Sequence, residues 1–160
     1  MSKKYNLYLG QAGQAYAMSE FLKRGYNVAI PQVDVGDDIF VLEDENGLFS
    51  RIQVKTSKAT PRRFGFSAKF NLSLNQLTRV TRPNLYYIFV IDHDFKWQSS
   101  IIINRFQLNT FYQNGSLGNP SNNRLVLYFS YLEDTQSLNC GANNFTQFIE
   151  NYEDFPMITH

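Results

Sequence analysis

The chain has 160 residues and a formal net charge of +1, and 43% of its residues are hydrophobic and 16% aromatic. This composition indicates one globular domain with its own core and excludes an intrinsically disordered chain. No apolar run approaches the about 20 residues of a membrane span, and the single cysteine, Cys140, excludes an intrachain disulfide. We therefore expect a cytoplasmic protein with no secretory leader and no membrane partner.

The first half of the chain is predicted to be a helix followed by several strands. Gln14, Met18 and Phe21 recur at helical spacing, which predicts a helix over residues 10–24. Asn46-Gly47, between two apolar runs, is a strong signal for a β-hairpin. The further elements predicted in this half are strands over 26–30, 38–42, 48–56 and 64–70 and a short helix over 72–81.

The second half contains a continuous apolar run over 85–91, which predicts a central strand covered on both faces. The other elements predicted here are strands over 97–103 and 125–132, helices over 104–112 and 144–152, and a loop over 113–123. The complete order of elements predicts one α/β domain over residues 1–160, with a mixed β-sheet flanked by helices.

Positive charge is concentrated in residues 51–82, which contain eight basic side chains and no acidic one. The eight are Arg51, Lys55, Lys58, Arg62, Arg63, Lys69, Arg79 and Arg82. A basic segment in a nearly neutral protein is typical of a phosphate-binding face. An ordinary solvated surface explains the charge equally well. Lys58, Arg62, Arg63 and Lys69 are the candidate phosphate contacts.

The predicted hairpin places unusual polar residues in apolar surroundings. Side chains alternate along a strand, so Gln53 and Lys55 share one face of an apolar-rich strand. Asp38 stands at the start of the partner strand, within reach across the hairpin. Gln14 lies on the apolar face of the first helix, where an amide needs a hydrogen-bonding partner. These four residues predict a site, whereas Asp37 is interpreted as an ordinary surface acid of the hairpin.

Four short motifs, in this order, resemble those of the PD-(D/E)XK nuclease superfamily. They are Gly13-Gln14, Arg24-Gly25-Tyr26, Gly36-Asp37-Asp38-Ile39 and Gln53-Val54-Lys55. The superfamily includes restriction enzymes, Holliday-junction resolvases and some intron homing endonucleases. The resemblance covers about the first third of the chain. It implies a restriction-endonuclease-like fold and a metal-dependent DNA endonuclease of a QxK variant, because Gln53 stands where the common pattern has an acid.

The resemblance also implies roles for the individual residues. Asp38, the side-chain oxygen of Gln53 and the carbonyl oxygen of Val54 would hold Mg²⁺ or Mn²⁺, with Asp34 or Asp37 as further carboxylates nearby. Lys55 would orient a water molecule and stabilise the transition state, and Gln14, in place of a glutamate, would hold that water or a ligand. The basic segment would bind DNA phosphates.

Other candidates and readings remain beside the nuclease site. His93 is either a metal ligand or base or a polar turn residue, and Cys140 is interpreted as a structural thiol. The aromatic residues Phe64, Phe66 and Phe70 either pack in the core or stack on bases. A catalytically inactive module that binds DNA or a protein is the alternative function. A nuclease of this size is also expected to form a homo-oligomer, a dimer or a tetramer.

Overall fold

A computed structural model describes residues 2–33 and 35–159. The helices are α1 (Lys3–Lys23), α2 (Leu74–Thr78), α3 (Arg105–Gln113) and a 3₁₀ helix (Thr146–Phe148). The strands are β1 (Asn27–Ala29), β2 (Ile39–Glu43), β3 (Leu48–Lys58), β4 (Thr60–Arg62), β5 (Gly65–Ser73), β6 (Leu85–His93), β7 (Lys96–Trp97), β8 (Ile101–Asn104), β9 (Asn119–Ser121), β10 (Arg124–Leu132), β11 (Ser137–Cys140) and β12 (Asn143–Asn144).

The strands form two sheets. The first has the order β1-β2-β3-β6-β7, with β8 also paired to β6, and its β3–β6 pair is parallel while its other pairs are antiparallel. The second has the order β12-β11-β10-β5-β4, with β9 also paired to β10, and it is antiparallel throughout. The predicted α/β class with a mixed sheet is confirmed. The second sheet was not foreseen.

Two clusters of buried side chains hold these layers together. Phe70, Phe89 and Phe129 belong to a cluster between the two sheets, and Phe21 and Val90 belong to a cluster between α1 and the first sheet. Strand β6 contributes alternate residues to the two clusters, which confirms the prediction that it is covered on both faces. Burial on both faces fixes the side to which each residue of the neighbouring β3 points.

Several predicted boundaries differ from the structure. Helix α1 begins at Lys3, seven residues before its predicted start. The Ser2 side chain caps it there by accepting a hydrogen bond from Tyr5 N. The predicted strand over 97–103 is divided into β7 and β8 where Ser100 N donates to Glu150 Oε1, 2.6 Å away. The helix predicted over 144–152 is wrong, because only the 3₁₀ turn forms there.

Two further differences are smaller. The helix predicted over 72–81 is reduced to α2, which is capped by Ser73 and ends where Arg79 becomes extended. The loop predicted over 113–123 contains the short strand β9. No helix within residues 2–33 and 35–159 is both long and apolar enough to cross a membrane.

Helix α1 crosses β3 at very close range, at Gly13. A Cβ atom added there would lie 2.0 Å from Thr56 Oγ1, whereas one added at Gly10 would have nothing within 4 Å. The missing side chain therefore lets the helix backbone approach the strand. This contact fixes how far the next residue, Gln14, lies from the start of β2.

We expect Gly13→Ala to lower the free energy of unfolding by about 1–3 kcal/mol, the usual cost of forcing extra volume into a packed contact. Gly10→Ala is the matched control, and it should be neutral or up to about 1 kcal/mol stabilising because alanine favours the helix. Urea denaturation of the three proteins measures the difference. Equal stability of the two variants would contradict this account of the helix crossing.

Candidate functional site

Asp38 lies just before β2 and is bound to the neighbouring β3 through both its backbone and its side chain. Its backbone N donates to Ile52 O at 2.9 Å. Its carboxylate Oδ2 accepts a hydrogen bond from Val54 N at 2.7 Å and a second from Gln53 Nε2. The carboxylate is thus oriented by the strand that carries the Gln53-Val54-Lys55 motif, as the sequence predicted.

Gln53 is buried, with 5% of its surface exposed, and its amide is fully engaged. The amide nitrogen faces Asp38 Oδ2 and lies 3.5 Å from Val54 O. The amide oxygen points the other way and accepts a hydrogen bond from Gln76 Nε2 at 3.1 Å. The NH₂ group of Gln53 therefore occupies the point at which a carboxylate oxygen and a carbonyl oxygen converge.

Gln14 reaches the same region from α1. Its Nε2 donates to the backbone oxygen of Asp38 at 2.8 Å. The hydrogen-bond partner that this amide requires is therefore the backbone of Asp38, the residue that carries the carboxylate. This hydrogen bond links the close crossing at Gly13 to the position of Asp38.

Lys55 lines a cavity of about 220 Å³ at the edge of β3 beside α1, beyond Ile52, where the pairing with β2 ends. Asp38, Gln14 and Val54 line the same cavity. Side chains of Ile52 and Val54 belong to the cluster under α1, so Gln53 and Lys55 occupy the opposite face of β3, as predicted. The four residues singled out from the sequence are therefore neighbours in the fold.

The donor set fits one divalent cation with a low ligand charge. Mg²⁺ prefers oxygen ligands and commonly takes one or two carboxylates. Asp38 supplies one carboxylate and Val54 a carbonyl, while Gln53 would present its oxygen after its amide turns over. Residues 2–33 and 35–159 bring no three acidic, histidine or cysteine side chains together as a metal cluster. Asp34 lies outside the described residues.

Asp37 is not the surface acid that the sequence suggested. It is 4% exposed, and its Oδ2 accepts a hydrogen bond from Arg51 Nε at 2.9 Å. Its Oδ1 is buried and has no hydrogen-bond partner in the described part of the chain. The expectation was wrong because Arg51 holds Asp37 in the interior, and only Asp38 lines the cavity with Gln14. Asp37 instead anchors this segment to β3.

The candidate phosphate contacts lie around the second sheet. Arg62, Arg63 and Lys69 are exposed on or beside β4 and β5, and Lys58 is half-buried at the end of β3. Arg62 Nε donates to Ser67 Oγ at 2.9 Å. The ammonium of Lys69 lies 5.7 Å from the ring centre of Tyr128 on β10. Arg62 and Lys69 are thus held at defined places on the exposed face of the second sheet.

Sequence reasoning missed other residues of this face. Arg124 lies opposite Ser73 in the β5–β10 ladder and lines a broad groove of about 1010 Å³ together with Lys69 and Asn71. None of the described residues that line the groove is acidic. Arg124 was missed because it lies in an acid-rich part of the sequence, and only strand pairing brings it beside β5. The sequence signal that could have found Arg124 was the alternation of apolar and other residues along β10, which marks an exposed face.

Gln76 was also missed, although it contacts Gln53 directly. It lies on α2, whose predicted boundaries gave no reason to place it beside β3. Its Nε2 donates to Gly36 O as well as to Gln53 Oε1. Nothing in the local sequence around Gln76 distinguishes it from an exposed helix residue.

Packing accounts for the remaining candidates except Phe64. Phe66 and Phe70 are buried, while Phe64 is exposed. The ring of His93 lies 5.0 Å from that of Phe66, at the end of β6. Cys140 is buried, and burial raises the pKa of its thiol to about 11. A neutral, enclosed thiol is a structural one, as interpreted from the sequence.

Comparisons with known proteins agree with this fold. No protein-family model matches the chain, and no curated protein sequence matches it. Among solved structures, a bacterial homing endonuclease, I-Ssp6803I, matches with a TM-score of 0.56 and 16% sequence identity, over 90% of this chain and 86% of that chain. The likeness is one of fold. It supports the nuclease-like architecture that the sequence motifs implied.

We expect Arg51→Met to destabilise the protein by about 2–3 kcal/mol, because it leaves the Asp37 carboxylate buried without its cation. Breaking a fully buried pair costs about 3–5 kcal/mol, and the side chain of Arg51 is 19% exposed. Thermal and urea unfolding measure the loss.

Two further variants make this test specific. Lys23→Met removes the cation of an ion pair with Glu20 in which the lysine side chain is 70% exposed, and it should cost less than about 1 kcal/mol. Adding Asp37→Asn to Arg51→Met should recover part of the lost stability, since it removes the unpaired charge. A double variant less stable than Arg51→Met would argue against an ion pair at this position.

Proposed function

We propose that the chain is a metal-dependent DNA endonuclease that hydrolyses phosphodiester bonds with a PD-(D/E)XK-type site. The observation that carries this proposal is the convergence of the Asp38 carboxylate, the Gln53 amide and the Val54 carbonyl at one point. Lys55 lines the adjoining cavity. The homing endonuclease fold of the chain supports the same conclusion.

The ion would be Mg²⁺ or Mn²⁺, held by Asp38, by Gln53 through its amide oxygen and by Val54 O. When bound, such an ion lowers the pKa of a water molecule and stabilises the charge that develops on phosphorus. Asp38 would be the main anionic ligand, which makes its orientation by Val54 N important. A carboxylate fixed before the ion arrives loses little further freedom on binding.

Lys55 and Gln14 would act on either side of that ligand set. Lys55 would hold the attacking water through a hydrogen bond and offer its positive charge to the transition state. Gln14 would act one step further out, since its side chain holds the backbone of Asp38 in place. The sequence motifs implied a different role, in which Gln14 itself holds the water or a ligand. The cavity beside these residues gives the phosphate a place to enter.

DNA would meet the cavity beside β3 at the cleaved phosphate, and its flanking segments would reach the exposed face of the second sheet. Lys58, Arg62, Arg63 and Lys69 would contact phosphates, as expected from the basic segment, and Arg124 would join them from β10. Asn71, in the same groove, offers an amide with both a donor and an acceptor, which suits contact with a base edge. None of the described residues that line the groove is acidic, and this favours the binding of a polyanion there.

A second candidate function is a nuclease-fold module that binds DNA or a protein partner without cleaving DNA. The orientation of the Gln53 amide, which directs its nitrogen and not its oxygen towards Asp38, favours this alternative. The retained Lys55 favours the enzyme. Cleavage assays distinguish the two.

We also propose that the chain acts as a homo-oligomer, a dimer or a tetramer, because one such site cuts one strand and a symmetric pair cuts both.

We expect Asp38→Ala to abolish metal-dependent cleavage of plasmid DNA, while metal-free DNA affinity stays equal or rises slightly because an anion is lost. Lys55→Ala should also abolish cleavage, since its charge acts mainly in the transition state, and should weaken DNA binding only modestly. Gln53→Glu is the control that keeps an oxygen ligand at the same reach and should still cut. Assays with Mg²⁺, Mn²⁺ and EDTA measure cleavage, and gel shifts measure affinity. Wild-type protein that cuts no DNA substrate with either ion would leave the binding module as the function.

We expect DNA affinity to fall steeply with salt, because each phosphate bound by a cation releases counterions. Replacing both Arg62 and Arg63 by Ala should reduce the slope of log K against log salt by about one for each phosphate that is no longer neutralised. Lys23→Ala with Lys96→Ala removes the same formal charge outside this face and should leave the slope unchanged. Fluorescence anisotropy over a salt series measures it, and a flat dependence in the wild type would remove DNA as the partner.

A further inference from the structure

We propose that Gln76 is a positioning residue that controls whether Gln53 can serve as a metal ligand. The inference rests on the proposed function, since it concerns the same site. It identifies a residue on α2, outside the recognised motifs, whose hydrogen bonds set the orientation of the Gln53 amide. Occupancy of the metal site would then depend on the movement of two amides together.

The argument begins with the two hydrogen bonds of the Gln76 NH₂ group. One goes to Gly36 O and the other to Gln53 Oε1, 3.1 Å away. An amide NH₂ has two donors, so both are used. The oxygen of Gln53 is thereby held on the side of Gln76, and its nitrogen is directed towards Asp38 and Val54 O.

Metal ligation through Gln53 requires the opposite orientation. Turning the amide over would bring its oxygen towards Asp38, and the two residues together would then hold a cation. The Gln53 nitrogen would then face the Gln76 nitrogen, and two donors would meet at hydrogen-bond distance. Gln76 would relieve this by turning its own amide over, which would remove its hydrogen bond to Gly36 O. The loss of that hydrogen bond makes the turned arrangement less favourable.

The surroundings of Gln76 make its present orientation specific. Gly36 has a φ of +98°, and a Cβ atom built on it would lie 2.6 Å from Gln76 Nε2. A glycine is therefore needed for the close approach of this amide to the loop before Asp38. At the other end, Gln76 N donates to the capping oxygen Ser73 Oγ at 3.3 Å, which fixes the start of α2. The side chain is thus held between a capped helix and a glycine.

Gln76 therefore favours the metal-free arrangement of the site. In that arrangement the Asp38 carboxylate is satisfied by the Gln53 nitrogen, and the Gln53 oxygen is satisfied by Gln76. A bound ion must replace both interactions. The metal affinity of the wild-type site is accordingly lower than its ligands alone would give.

The test compares Mn²⁺ binding to the full-length wild-type chain with binding to Gln76→Met, which keeps the length of the side chain and removes its donors. We expect Gln76→Met to bind Mn²⁺ about five- to tenfold more tightly, the effect expected for one buried hydrogen bond. Gln76→Glu, which can accept a hydrogen bond from the turned Gln53 amide, should also bind more tightly. Gln113→Met, an exposed glutamine of α3 replaced in the same way, should bind as the wild type does.

A second measurement needs no bound ion. In the metal-free protein, the side-chain amide NMR signals of Gln53 should shift in Gln76→Met and stay in place in Gln113→Met. Unchanged Gln53 signals would overturn the hydrogen bond itself. On adding Mg²⁺ to the wild type, the side-chain signals of Gln53 and Gln76 should move with the same midpoint.

The outcomes separate this inference from the proposed function. Binding of Mn²⁺ that is abolished in Asp38→Ala but unchanged or weakened in both Gln76 variants would overturn the role of Gln76 and leave the nuclease site standing. Failure of wild type and both Gln76 variants to bind Mn²⁺ would overturn both. Binding that appears only when Gln76 is replaced would support the inference in its strongest form.

Discussion

The parallel pairing of β3 with β6 is the constraint on which the rest of the molecule depends. Strand β6 packs against α1 through one face and against the second sheet through the other, so its neighbour has no freedom to slip by a residue. A slip of one position would exchange the buried and polar sides of β3. Ile52 and Val54 are therefore committed to the α1 side, and Gln53 and Lys55 to the other. The hairpin with β2 then brings Asp38 to the backbone of Val54.

How much of this arrangement is contained in the sequence differs between its parts. The Asn46-Gly47 hairpin, the apolar run of β6 and the alternation along β3 are local patterns, and each predicted its element correctly. The partnership of Asp38 with Gln53 followed from strand pairing. By contrast, Gln76 and Arg124 reach their neighbours through contacts between distant segments, and no periodicity reports those. Asp37 was misjudged because the sequence does not reveal which of two adjacent acids faces the interior. The helix expected over 144–152 failed because Phe145 and Phe148 are buried at the end of the second sheet, where a tight turn suffices.

An amide at position 53 gives this polar cluster a different electrostatic balance from the one that an acid would give. Two carboxylates at this distance would repel each other until a cation arrived. An amide instead donates to Asp38, so the site satisfies its own polar groups without an ion. Compared with an acid at this position, the amide stabilises the cluster without a cation and attracts a cation less. The Gln14 amide likewise holds the Asp38 backbone without adding charge to the cluster.

The burial of Cys140 has a practical consequence for experiments on this chain. It is the single cysteine of the sequence, and its thiol stays protonated and enclosed at neutral pH because its pKa is raised to about 11. The thiolate is the nucleophile that reacts with alkylating reagents, so Cys140 in the native protein should react with them very slowly. A cysteine introduced on an exposed strand, such as β10, would be the one thiol of ordinary reactivity. Spectroscopic probes attached there would test the proposed oligomer and the proposed DNA contact through distance measurements, and the unsubstituted chain would provide the blank.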